Sequence, residues 1–473
     1  MAIPIFIPLF WQVLKVVYLE DGKIFVWNAN NLGDMPYHIG LASYLQHSKF
    51  WPSNYIFPLE SLKYPFAVDY LHTLLQNFIS YLWVYPLLSF LGLFLSAFIA
   101  LQMGGVGFLY LLFCNASWSL LSQDQLSWKN FLLAVFIPQR GYILALPIGL
   151  LLTDRLWKYM QDKLNFTTKD IIFYGILLGS LAWIHLHSFV FFLGFSVLVS
   201  LYRCQKNTVY YLIVAGILGA PFLLQSTDYL QKASSLQFLF IWDKSGGQNT
   251  ANYLFQNLGF LLLLPICLPW IKKRSIQTWL LFASAMFAFF LVCILSVWPW
   301  DNIKILLWAY VAFIFGFYQT ITNKILRFLF VMLFSLPGLY AIWTYTFQDN
   351  KKQVIFSIDE VERYKDWFDE SKKKETYIAL PTYNHPIFYY GASAVMGYDG
   401  HLWSHGVKYT KLKDELSTLP RMSAEELLAF SVRNKAKYLI YSSLERSGWG
   451  QILALDSFEK VYTNKDLVIY RMY

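Results

Sequence analysis

Residues 81–103 read YLWVYPLLSFLGLFLSAFIALQM, an apolar run without a single charge. It is longer than the roughly 18 residues at which a segment reads as membrane-spanning. Similar runs occupy 131–152, 188–202, 276–297 and 325–345. More interrupted ones cover 105–121, 171–185, 209–225, 254–271 and 303–320. With 3–17, which reads as a short or truncated first span, the pattern predicts about ten or eleven spans. The composition agrees, with 57% apolar, 19% aromatic and 14% charged residues, unlike a soluble globular chain.

The net charge of +9 does not point to nucleic acid, because much of it lies in short connections between spans. One alternating set of connections holds Arg155, Lys158, Lys163, Lys169, Arg203, Lys206, Lys272, Lys273, Arg274, Lys324 and Arg327. The opposite set holds only Lys129, Lys232, Lys244 and Lys304. The positive-inside rule puts the first set in the cytoplasm. The 19–80 loop, the His185 turn, the 226–253 loop, the 298–304 turn and the C-terminal region are then expected outside. The four cysteines, Cys114, Cys204, Cys267 and Cys293, lie in or beside apolar runs, so no disulfide framework is expected. No cleavable signal peptide is evident, since 3–17 lacks a basic flank and a small-residue cleavage site.

The chain turns polar after Gln348, so the expected division is a membrane domain over 1–349, with its first outer loop at about 19–80, and an outer domain over 350–473. The latter reads as a small α/β domain. Helices are predicted over 358–374 and 422–434, the second opened by Ser423 with Glu426 as a capping box. Strands are predicted over 376–380, 437–441 and 467–471.

Polar chemistry concentrates in a few places. Gly33-Asp34-Met35-Pro36-Tyr37-His38 puts a carboxylate and an imidazole four residues apart, on one face if a helix begins near Met35. Asp34 there suits a helix cap, a catalytic base, or both. A carboxylate at the outer membrane surface, ahead of a bundle of spans, suits an enzyme acting on a lipid-carried substrate. Asp69 sits among apolar and aromatic neighbours, paired with Lys63 or given a task. Gln139 and Arg140 interrupt an apolar run; a buried arginine is costly and faces a cavity, a counter-ion or, with its fork geometry, a phosphate. His185 and His187 sit between two apolar runs, but a metal would need a third ligand that the sequence does not nominate. Asp301 and Lys304 form either a substrate clamp or a local i, i+3 pair. In the C-terminal region, His401, Trp403 and His405 crowd a glycine-rich stretch, suited to sugar faces and hydroxyls or to a turn network. Walker A, dinucleotide, G-x-S-x-G and zincin motifs are absent from the sequence.

Taken together, Gly33-Asp34…His38, Trp51-Pro52, Tyr64-Pro65…Asp69, Pro138-Gln139-Arg140-Gly141, His185-Leu186-His187-Ser188, Trp300-Asp301-Asn302-Ile303-Lys304 and the 397–406 stretch resemble a branch of bacterial polytopic proteins related to GT-C glycosyltransferases. The resemblance implies a GT-C-like helical membrane domain and transfer of a sugar from a polyprenyl-phosphate donor to an envelope lipid, glycan or protein acceptor. It implies a bacterial cytoplasmic membrane location with the C-terminal domain outside. It also implies Asp34 as general base, with Asp69 the second candidate. His38 would orient Asp34 or contact the acceptor, and Arg140, helped by Lys304, would hold the lipid phosphate. The loop lacks an Asp-x-Asp pair, which leaves a divalent metal open and no cofactor assigned. A lipid-linked-glycan transporter is the alternative; it predicts polar groups through the membrane depth and an internal repeat, and neither is visible. A non-catalytic assembly protein is the third reading, in which Asp34, Asp69 and Arg140 would be replaceable.

Overall fold

The computed structural model describes residues 3–28, 31–116, 130–226, 237–238, 252, 255, 259–295, 297, 299–347 and 352–473. Most of the 226–253 loop, the end of the 105–121 run, the start of the 254–271 run, Lys129 and Trp298 lie outside the described residues. The chain forms two compact units. One comprises Met1–Leu14, Pro65–Val68 and Pro86–Lys351; the other comprises Lys15–Tyr64, Asp69–Tyr85 and Lys352–Tyr473.

The first unit is helical. Among the described residues, six helices are long and apolar enough to cross a membrane: Tyr81–Phe113, Leu186–Arg203, Lys206–Gln225, Arg274–Val292, Ile303–Thr320 and Lys324–Thr346. Helices Tyr142–Met160 and Thr168–Ile184 pack among them. Ile303–Thr320 is the most enclosed of the six, whereas Phe94, Ile217, Leu224 and Ile325 on other helices stand exposed. So much uncovered apolar surface belongs in lipid, and the chain is an integral membrane protein. Thr168–Ile184 and Lys206–Gln225 come close because Gly175 and Gly179 carry no side chain; a Cβ on Gly179 would meet Ala215 O at 2.8 Å.

Four of the expected spans differ in detail from the sequence reading. The 81–103 and 105–121 runs join in one assigned helix, Tyr81–Phe113, broken by Gly105 at φ 66° and ψ −163°. That conformation is strained for any residue with a Cβ. The 131–152 run is not one helix. A π turn over Leu132–Phe136 leads into Pro138, and a regular helix starts only at Tyr142. Gly259–Trp270 is a 3-10 run, in which Pro265 and Pro269 withhold backbone donors.

The second unit interleaves the first loop with the C-terminal chain. Tyr18–Glu20 and Lys23–Val26 form a hairpin closed by Asp21-Gly22, both at positive φ, the signature of a type I′ turn. Gln353–Ser357 adds antiparallel to Lys23–Val26, pairing Ile24 with Phe356. A five-stranded sheet follows the order Glu459–Asn464, Leu467–Arg471, Ala436–Tyr441, Thr376–Ile378, Ser393–Ala394. The backbone of this C-terminal chain also bonds the turn of a second loop hairpin, Ser53–Asn54 with Phe57–Ser61: Ala394 N–H to Tyr55 O (3.0 Å) and Gly397 N–H to Ile56 O (2.8 Å). Helix Asn31–Leu45 packs on Pro386–Tyr389, where Gly40 lies against Tyr55 and Phe388. The expected long helix over 358–374 is instead a short one, Ile358–Glu362, with a 3-10 turn at Lys372–Lys374. Turn bonds carry the chain on to Phe368, and Asp369 then accepts from the backbone of Ser371 and Lys372, which starts the 3-10 turn. The capping box at Ser423 and Glu426 opens Ala424–Arg433 as expected.

Candidate functional site

Asp34 lies in the first turn of the Asn31–Leu45 helix, not before it. The Asp34–His38 pairing expected from i, i+4 spacing gives way to tertiary pairing. His38 Nδ1 and Asp69 Oδ1 are 2.7 Å apart, with side-chain exposures of 4% and 1%. Lys63 pairs with Glu60 instead of Asp69 (2.9 Å). Asp69 is in the first turn of Ala67–Gln76, and Thr73 of that helix donates to Ala42 O (2.8 Å). Asp69 is therefore a sealed carboxylate clamping two helices of the loop.

Asp34 remains about one-third exposed, and its Oδ1 is 3.9 Å from His401 Nε2. His401 and His405 are one helical turn apart, at and just beyond the short helix Asp399–Ser404. Their rings flank Tyr37, with centroids at 4.9 and 5.4 Å, and Tyr64 lies 5.1 Å from His405 and 5.7 Å from His38. Trp403 falls between the two histidines in sequence and is 42% exposed. Tyr37 is buried; burial first, then the negative charges of Asp69 and Asp34, raise its phenol well above the ordinary value. It stays neutral at physiological pH. Asp34 thus opens from a wall of Tyr37, Tyr64, His401 and His405. The sequence reading singled out the histidines but not the tyrosines, which have no distinguishing signal in a chain this rich in aromatics.

The remaining predicted residues belong to the membrane unit and converge there. The turn after the π segment carries Gln139, half-buried, and Arg140, fully buried, whose Nη1 donates to Ser89 Oγ (3.0 Å). Gly141 presses on Ile184 O, an approach no side chain would allow. That packing sets Tyr142 against His185, ring centroids 5.0 Å apart. His185 is the extended residue between Thr168–Ile184 and Leu186–Arg203 and caps the second, accepting from Ser188 N–H (3.2 Å). Trp308 Nε1 donates to Ser188 Oγ at 2.6 Å. His187 lies within electrostatic reach of both Lys304 and Asp301, and His185 of Lys304. Lys304 and Asp301 form the local i, i+3 pair (2.7 Å). Among the described residues, no three His, Cys, Asp or Glu side chains converge as a metal site.

This architecture is the GT-C-type fold of membrane glycosyltransferases. The likeness that carries this is to the crystal structure of ArnT from Cupriavidus metallidurans bound to undecaprenyl phosphate. It spans 100% of this chain and 97% of that one, with a TM-score of 0.52 at 10% sequence identity. The archaeal oligosaccharyltransferase AglB from Archaeoglobus fulgidus, in complex with an inhibitory peptide and a dolichol-phosphate, aligns over 100% of this chain and 74% of its own at TM-score 0.47 and 11% identity. No family model matches the chain, and no curated protein does.

Proposed function

We propose that this protein is a membrane glycosyltransferase. It would move a sugar from a polyprenyl-phosphate donor to a hydroxyl of an envelope lipid, glycan or protein acceptor at the outer membrane face. The observation that supports it most is the partly solvent-exposed carboxylate of Asp34, 3.9 Å from His401 Nε2, in a chain of GT-C-type fold. An acceptor hydroxyl is a poor nucleophile at neutral pH, so a carboxylate within hydrogen-bond reach takes its proton as it attacks. The acceptor oxygen bonds to the anomeric carbon, the bond from that carbon to the phosphate oxygen breaks, and polyprenyl phosphate leaves with the electron pair. Asp34 is the base, because Asp69 is sealed against His38. Asp69 and His38 are positioning residues that hold the Asp34 helix. In the membrane unit, Lys304, with His185 and His187 in its electrostatic reach, and the buried Arg140, next to Gln139, would supply positive charge for the leaving phosphate. Tyr37, Tyr64, His401 and His405 offer faces and donors to sugar rings.

The test is release of free polyprenyl phosphate from a panel of polyprenyl-phosphate sugars by the protein in nanodiscs, with an envelope extract as acceptor source. Asp34→Asn should lower turnover by about 10²–10⁴-fold, the usual contribution of a general base, with unchanged melting. Wild-type turnover in that variant would remove Asp34 from the chemistry, and no release from any donor would sink the reading.

A further inference from the structure

The five-stranded sheet holds a second feature that the Asp34 cluster does not use. Strand Thr376–Ile378 runs parallel to Ser393–Ala394 on one flank and to Ala436–Tyr441 on the other. The chain leaves Thr376–Ile378 for the first neighbour and later returns to the second. Segments that follow Thr376–Ile378 and Ala436–Tyr441 must therefore part company at the strands' carboxyl ends. Crevices at such switch points are where open α/β sheets take ligands.

A cavity of about 290 Å³ lies there, lined by Asn384 from the first segment and by Ser443, Leu444 and Ser447 from the second. Arg363, Tyr364 and Leu467 are among the other wall residues. The two segments are locked together by a fully buried pair, His385 Nε2 to Glu445 Oε1 at 2.8 Å. Glu445 also accepts from Leu380 N–H, Ser442 N–H and the Ser442 hydroxyl. Every lone-pair direction of that carboxylate is engaged, so the crevice is built before any ligand arrives.

The lining selects the ligand's chemistry. Arg363 Nη1 donates to Asp466 Oδ1 at 2.6 Å, which offsets its charge, and Glu360 adds a negative rim. An anion is disfavoured at such a balance. Arg363 Nε is buried without an acceptor among the described residues; Ser443, Ser447 and Asn384, whose amide donates to Ile355 O (3.0 Å), share the cavity lining with it, while Leu444 and Leu467 offer an apolar face. Small neutral polyols with one apolar face match this set, and the volume sits at the small end of ligand pockets.

We propose that this crevice is a saccharide subsite, taking one or two neutral sugar rings of the acceptor. Its purpose rests on the glycosyltransferase reading; its test does not. Full-length protein in nanodiscs is titrated by saturation-transfer NMR with glucose, galactose, mannose, N-acetylglucosamine and their common disaccharides, and with inorganic phosphate and UMP as competitors. At least one saccharide should bind saturably. Ser447→Trp, at an exposed rim position away from the Glu445 lock, should abolish that binding without changing the melting temperature. Asn384→Ala should weaken it about tenfold. The proposal is overturned if no saccharide binds, if Ser447→Trp binds like the wild type, or if phosphate or UMP displaces the sugars. Saccharide binding without polyprenyl phosphate release would sink the glycosyltransferase reading and leave the subsite standing; release without Ser447-dependent binding would do the reverse.

Discussion

Burial separates carboxylates that composition treats alike. Asp34 keeps one side open, Asp69 is sealed, and Glu445 has no exposed surface at all. For Glu445, burial alone would raise the carboxyl, but His385, Ser442 and the Leu380 amide outweigh it and hold it down at about 2. A depressed folded value means the stabilisation is fully present above the ordinary glutamate range, near pH 4.5, and is lost as pH falls towards 2. The shift corresponds to about 3 kcal/mol. Melting curves of the purified protein between pH 6 and about 3 should show an acid-sensitive transition, and Glu445→Gln should flatten its pH dependence while lowering stability at neutral pH. Asp34, His38 and Asp69 stood out in the sequence by their place in the first loop, ahead of the bundle of spans, and His401 and His405 by the crowding of His, Trp and Gly over 397–406. Their partners did not. Asp69 is matched to His38 across 31 residues, which no local spacing rule reaches. The Ser442…Glu445 capping box was written in the sequence, yet the same signal opens ordinary helices, so nothing marked it as the floor of a crevice.

Helices of the membrane unit were legible because lipid imposes a simple requirement, a long apolar run with its backbone bonds satisfied internally. The expected 303–320 span coincides with Ile303–Thr320, and 325–345 with Lys324–Thr346. Breaks inside runs were harder to read, because apolarity continues through Gly105 and through the π turn before Pro138. In the second unit, strands 376–380, 437–441 and 467–471 were found by their β-branched and aromatic content, whereas Lys23–Val26 and its Asp-Gly turn went unused although the signal is strong. One turn there is unusually exacting. Gly391 has φ 75°, and a Cβ on it would meet the backbone of Ser43 and Tyr44 at 2.5 Å. Gly391→Ala combines backbone strain with a clash against an element that cannot yield, and should cost more than about 1 kcal/mol. Thermal melting reads it, and an unchanged midpoint would mean that the Asn31–Leu45 helix is not seated there.

At the scale of the molecule, the sequence break near 350 falls at the boundary between the two units, but the unit that resumes there is not built from the C-terminal chain alone. Residues 352–473 share their unit with 15–64 and 69–85. Strand Gln353–Ser357 pairs with Lys23–Val26, and Phe388 packs on Tyr55. A fragment of 352–473 alone should lack those partners and show little hydrogen-exchange protection over 353–357 and 386–397, while the full chain protects both. Equal protection in the fragment would make it an independent domain. Composition could not reveal this, since it registers what a segment is made of and not which distant segment completes it.

The same interleaving sets a timetable for biogenesis. Between Tyr85 and Lys352 the ribosome must make the greater part of the membrane unit, which at common elongation rates takes on the order of tens of seconds. During that interval Asp34 and Tyr37 have been synthesised, but His401 and His405 do not yet exist. The nascent loop waits with its Tyr55 face uncovered, a client for chaperones on whichever side of the membrane it emerges, and the wall around Asp34 closes only after the last span has left the ribosome.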